Sequence, residues 1–162
     1  MTGGTLAGLA KTGAGTLSYR VPLAITGTVE VAEGMIDLDG RTLTAARLAL
    51  GGGAIAGDVT VTEALVYASA AVDAETGFKT LAIDGKLTFA EGAKLDFDAL
   101  VAEGTKIRGS GRAITVVTAT GGIEGLPVVV RGSATDEAFW TCGVSGNSLF
   151  VARTPGTMII VR

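Results

Sequence analysis

The sequence predicts an all-β protein that coils its strands into a solenoid, and three observations carry that expectation. The first is a near-repeat: GTVEVAEGMIDLDG, Gly27 to Gly40, returns as GKLTFAEGAKLDFD, Gly85 to Asp98. The first eight positions align at an offset of 58, and after its second Gly the later copy carries one extra residue. The second is composition. Apolar residues make up 48% of the chain and aromatics only 5%, so Val, Ile, Leu and Ala must build the core. Gly, at 25 of 162 residues, is about twice its usual share, without the period of collagen. The third is punctuation: turn signals recur roughly every 8–12 residues, as in a sandwich, barrel or solenoid. Tight Asn-Gly hairpins are few and a corner motif recurs, which favours a coil; a β-sandwich is the alternative.

Each repeat copy reads as a short alternating strand, an Ala-Glu-Gly corner and a second alternating strand. Alternation places Val29 and Val31, or Leu87 and Phe89, on one face, with Glu30 or Thr88 on the other. Gly34 and Gly92 are expected to be equivalent corners with positive φ. One such unit cannot bury its apolar face alone and needs others stacked on it.

In chain order, residues 1–15 alternate Gly, Ala and Leu without a clear period and read as a frayed start or a cap. Thr16 to Ile25 reads as one extended strand, with Pro22 placing it at an edge or a bulge. Leu43 to Leu50 and Val59 to Val72 are strands or short helices by period. Alternation of Val66, Ala68, Ala70 and Val72 favours strand for the second. Gly51-Gly52-Gly53 and Gly57-Asp58 are expected breaks. A polar turn at Asp73 to Gly77 precedes a strand at Phe78 to Ile83, and Asp84-Gly85 opens the second copy. Ala99 to Arg112 reads as a long corner. Two strands follow around Gly121-Gly122, then three that turn at Gly143 to Asn147 and at Pro155-Gly156. No linker divides the chain, so residues 1–162 are read as a single domain.

Charge and residue usage narrow the function. A net charge of −3 argues against nucleic acid, which calls for a basic surface. No apolar run is long enough for a membrane-spanning helix, no polybasic anchor is present, and the first residues show no signal peptide. The chain has no His, which removes the commonest general base and metal ligand. Its single Cys142 excludes an internal disulfide, a Cys-based zinc cluster and a Cys–His nucleophile. No cofactor motif, phosphate loop or serine-nucleophile motif appears.

The stretches GKLTFAEGAKLDFD, AITVVTATGGIEGLPVVV and VSGNSLFVA, with the earlier copy, resemble the C-terminal part of autotransporter-like β-helical passenger proteins. In that family a strand ending in "LLTATGGI" is followed by an apolar segment and a "VSGNTLVL" strand. The resemblance runs from Gly85 onward. It implies a right-handed parallel β-helix displayed at a bacterial surface or secreted, in adhesion or as a stalk. A translocating barrel is not expected within these 162 residues, and the first 26 residues depart from the pattern.

Four constellations are candidates for chemistry. Asp37/Asp39 and Asp96/Asp98 can act as glycosidase acid and base or as Ca²⁺ ligands, although period-2 spacing also puts them simply on the solvent face. Thr26/Thr28, Thr42/Thr44 and Thr60/Thr62 can stack into a threonine ladder of the ice-binding kind, or serve as ordinary outward strand residues. Lys106, Arg108 and Arg112 can grip a sulfated or phosphorylated glycan or form a solvated corner. Trp140, alternating with Phe139 and Thr141, can stack on a sugar or fill the core. No catalytic, cofactor or metal residue is assigned. The expectation is a non-enzymatic structural or adhesive module of four to six rungs or so, extracellular or on the bacterial cell surface. A carbohydrate-active or carbohydrate-binding β-helix using the four Asp residues is one alternative. A self-assembling block that stacks end to end is another. Expected partners are a surface glycan or protein, or a second copy docking on the apolar C-terminal strand around Met158 and Ile160.

Overall fold

A computed structural model describes residues 4–67, 72–73, 77–96, 113–130 and 140–153, which contain strands and no helix. In chain order the strands are β1 (Gly4–Leu6), β2 (Leu9–Lys11), β3 (Thr16–Ser18), β4 (Leu23–Val31), β5 (Met35–Leu50), β6 (Ala54–Tyr67), β7 (Val72–Asp73) and β8 (Gly77–Phe78). They continue as β9 (Leu81–Asp84), β10 (Leu87–Phe89), β11 (Lys94–Asp96), β12 (Ala113–Ala119), β13 (Ile123–Glu124), β14 (Val128–Val130), β15 (Trp140–Ser145) and β16 (Ser148–Arg153). All but β7 and β8 join one mixed 14-stranded sheet; β7 and β8 form a separate antiparallel pair.

Register resolves the large sheet into three parallel ladders. The first aligns Gly4, Leu23, Leu43, Val59, Leu87 and Ile123 across β1, β4, β5, β6, β10 and β13. The second aligns Leu9, Val29, Leu48, Leu65, Leu95 and Val129 across β2, β4, β5, β6, β11 and β14. The third aligns Leu17, Ile36, Ile55, Ile83 and Ala119 across β3, β5, β6, β9 and β12. The chain visits them in that order on every pass. β4, β5 and β6 serve more than one ladder because they run through bends.

Alternation explains why one side of each ladder is dry. In β4, Leu23, Ile25, Val29 and Val31 are buried while Ala24 and Thr26 are exposed. Buried residues from all three ladders, including Ile25, Val29 and Ile36, form one core cluster. Each fully buried Leu or Ile contributes about 1.5–3 kcal/mol relative to exposure. Stacked identical side chains such as Ile36 on Ile55 keep that core filled from pass to pass.

Where the passes turn, backbone meets backbone. Gly57, Gly85 and Gly121 stack at the corner between the third and first ladders, and Gly121 N–H donates to Gly85 O at 2.8 Å. A Cβ on Gly85 would collide with the carbonyl of Gly57, and one on Gly121 would stand 2.8 Å from Gly85 C. This packing is one reason the sequence is so rich in glycine.

Several expectations need correction. The two repeat copies share local conformation: Gly34 and Gly92 have φ of 77° and 78°. They do not share a place. Val29–Val31 lies on the second ladder and Leu87–Phe89 on the first, so the copies are one face out of phase. Residues 4–15 are not a frayed start, since β1 and β2 pair with β4 in register. Thr16 to Ile25 is not one strand; β3 and β4 are separate, and Pro22 sits exposed between them. Leu43–Leu50 is strand, as is Val59–Tyr67, and Gly57-Asp58 bends β6 without breaking it. β15 likewise runs through Gly143, and Gly146-Asn147 makes the turn into β16. The described strands do not divide into the two antiparallel sheets of a sandwich. The expected corner at Ala99 to Arg112 and the last expected strand, at Thr157 to Val161, lie outside the described residues.

Gly92 has no atom within 4 Å of the place a Cβ would take. Its replacement by Ala therefore incurs only left-handed backbone strain, about 1–2 kcal/mol. Gly85→Ala adds a steric clash with the neighbouring pass and is expected to cost more, about 3 kcal/mol or above. Urea denaturation of the two variants checks the order; equal losses would contradict the glycine column.

Candidate functional site

A shallow groove of about 580 Å³ is lined by Thr12, Gly13, Ala32, Glu33, Gly52, Lys79 and Thr80. It follows the corner between the second and third ladders across four passes of the chain. Thr12 and Gly13 come from the first pass, Ala32 and Glu33 from the second, Gly52 from the third, and Lys79 and Thr80 from the fourth, just before β9. Main-chain bonds between passes hold its wall. Ala32 N–H donates to Lys11 O at 3.0 Å, Gly53 N–H to Val31 O at 3.2 Å and Ala54 N–H to Gly34 O at 2.9 Å.

Bonded to the groove's main chain is Lys11, the one buried charged residue among those described, at 8% exposure. It aligns with Val31 on the second ladder, an inward position elsewhere filled by aliphatic residues. Its ammonium donates to the carbonyls of Thr12 at 3.1 Å and Glu33 at 3.2 Å, and also to that of Gly13. A buried cation is tolerable only when its protons are matched in this way. Lys11 thereby ties two successive corners together.

The groove presents opposite charges that do not meet. Among the described residues neither the Glu33 carboxylate nor the Lys79 ammonium has an ion-pair or hydrogen-bond partner. The Lys79 stem lies over Gly52, where a Cβ would stand 2.7 Å from Cδ. Thr80 Oγ1 donates to Thr115 O at 3.2 Å, whereas the exposed Thr12 adds a hydroxyl to the rim. A carboxylate, an ammonium and a hydroxyl over a floor of peptide groups can both donate to and accept from a bound molecule.

The sequence singled out other residues, and the structure disperses them. Asp37 lies on the third ladder in line with Ala56 and Asp84, and Asp96 lies on the second beside Val66 and Val130. Asp37 and Asp96 therefore do not converge. Asp37 Oδ1 accepts from Asp39 N–H at 2.9 Å, and Asp39 pairs with Arg41 at 2.8 Å. Asp98, Lys106, Arg108, Arg112 and Phe139 lie outside the described residues. The proposed threonine ladder is replaced by a single row, Thr44, Thr60 and Thr88, flanked by Ala24 and Glu124. Thr42 aligns with Asp58 and Thr28 with Arg47. Trp140 begins β15, beside Arg153 of β16.

Cys142 is half-buried against the core, and its thiol contacts Pro127 O at 3.5 Å. Burial raises its pKa above the usual thiol value. The thiol is thus held neutral, and alkylation by iodoacetamide at mildly alkaline pH should be slower in the native protein than in urea. The raised folded-state value also contributes stability that is present below the unfolded thiol's pKa and lost as pH rises through the folded one. Cys142→Ala should remove that alkaline loss; a native thiol as reactive as the unfolded one would contradict the burial. A second variant tests the tie between the two corners that border the groove. Lys11→Met removes the donor from three carbonyls and should cost about 2 kcal/mol, read from denaturant midpoints. Comparison with protein-family models, with curated proteins and with solved structures finds no match.

Proposed function

We propose that the chain is a right-handed parallel β-helix serving as a non-enzymatic structural or adhesive module, secreted or displayed at a bacterial surface. The observation that carries the architecture is the fixed order in which the chain visits the three ladders, with their inner residues in one core. Ladders of this kind lengthen a domain without enlarging its cross-section, the property required of a stalk. Surface display rests on the resemblance of Gly85 onward to β-helical passenger segments.

The adhesive part of the reading rests on the groove. Its unpaired carboxylate and ammonium call for a ligand that donates and accepts without bringing a net charge. Adjacent hydroxyls of a saccharide meet that requirement, and a groove running along the stack suits an extended chain. The dispersal of Asp37 and Asp96 to different ladders weighs against a paired-carboxylate hydrolase.

A glycan array probed with the protein, followed by titration of the best neutral oligosaccharide, tests this reading. Glu33→Gln and Lys79→Gln should each weaken binding about tenfold, corresponding to the loss of about one charge-assisted hydrogen bond, with the melting temperature unchanged. Binding that is unaffected in both variants would remove the groove from the reading and leave the structural role alone.

A further inference from the structure

The third ladder ends differently from the other two. Among the described residues, the last strands on the first and second ladders, β13 and β14, pair only with β10 and β11. On the third, β12 is followed by β16 and then β15, both pairings antiparallel. Strand direction therefore reverses where parallel stacking would continue. β16 fills the place level with β13 and β14, and β15 stands one strand further, an overhang of about 4.8 Å.

This hairpin is anchored at three points. Leu149 and Val151 of β16 are 0% and 1% exposed and belong to the core. Its Gly146-Asn147 turn is tied to the preceding corner: Ala119 N–H donates to Asn147 O at 2.8 Å, and Asn147 Nδ2 donates to Thr120 O at 3.2 Å. Cys142 of β15 reaches across to Pro127 O, just ahead of β14. Nearby, Leu126 and Val144 remain 55% and 38% exposed, and Val144 is in register with the buried Leu149, the apolar surface expected at the end of a stack.

We infer that the β15–β16 hairpin is a strand-reversing cap that prevents a second copy of this chain from continuing the ladders. A copy placing its β1 and β2 on β13 and β14 would extend both ladders in parallel. Its β3 would then need the place on the third ladder that β15 already occupies. Reversal and overhang together block a third in-register pairing, and the two remaining edges are too short to hold a copy alone. The occupant excluded is a second copy because β1 to β3 already pair in the same three-ladder arrangement and carry matching inner residues, Leu6, Leu9 and Leu17. This inference rests on the parallel β-helix reading proposed above.

The test compares wild type, Leu149→Asp and Thr141→Asp in the full chain by sedimentation velocity over a concentration series. Hydrogen exchange of the Val29, Ile36 and Ile55 amides is followed in parallel. Leu149→Asp puts a charge into the dry face of β16 and should release the hairpin; Thr141 is exposed on β15 and serves as the control. Wild type and Thr141→Asp are expected to stay monomeric. Leu149→Asp is expected to keep its core amides protected while its apparent mass at least doubles with concentration. A protected but monomeric Leu149→Asp would overturn the cap, as would a wild type that polymerises with the hairpin protected. Loss of protection throughout Leu149→Asp would also overturn it, by making the hairpin part of the core and not a cover for it. Nuclear Overhauser contacts between Ile36, Ile55 and Ile83 in wild type report on the β-helix reading separately, so the two can fail independently.

Discussion

Successive passes of this chain must lie one hydrogen-bonded strand spacing apart, about 4.8 Å, at the corners as well as along the ladders. Most of the molecule answers to that constraint. Inward, it brings each aliphatic side chain into contact with its counterpart above and below, so Ile36, Ile55 and Ile83 form a continuous column. At the corners it leaves no room for a Cβ between Gly57 and Gly85. Outward, it sets charges on neighbouring passes within reach of each other, as in the pairing of Lys86 with Glu124 at 2.6 Å. Even the buried Lys11 conforms, because its ammonium spans the interval between the Thr12–Gly13 corner and the Glu33 corner above it.

The same constraint explains what the sequence could and could not disclose. Alternation of aliphatic and polar residues identified strands, and the Ala-Glu-Gly motif identified corners with the correct backbone geometry at Gly34 and Gly92. Neither signal carries an address. A strand, a glycine corner and another strand have one code whichever pair of ladders they join, so two copies with one code came to rest one face apart. Pass length gives no correction. Leu23, Leu43, Val59, Leu87 and Ile123 occupy one row, yet are separated by 20, 16, 28 and 36 residues. The two long passes carry their additional residues between the second and third ladders, in the intervals from β6 to β9 and from β11 to β12.

Site residues were less legible for a related reason. Asp37 and Asp96 come from the two acidic pairs of corresponding copies, and the change of face set them on different ladders. Glu33 was visible only as part of a corner. Lys11 carried a usable signal, since it follows Leu9 at the two-residue period of an inward face. That signal was lost among the small residues of the first pass. Lys79 had none: it reaches the groove through register between passes, which no local pattern encodes. The groove's charged groups therefore came together only when residues distant in sequence were placed on one corner.

The segment between β6 and β9 has a bearing on how such a surface can change. It contains the β7–β8 hairpin and delivers Lys79 and Thr80 to a groove whose other residues come from earlier passes. The ladders on either side are paired through β6 and β9 irrespective of what lies between them. On the proposed adhesive reading, ligand specificity is thus mounted on the scaffold as an interchangeable cassette. Its ends are set by two neighbouring strands, and its content is free to vary in length and charge. Substitution within that one loop can change the charge and shape of the groove while every inward residue, and hence the folding of the column, stays as it was.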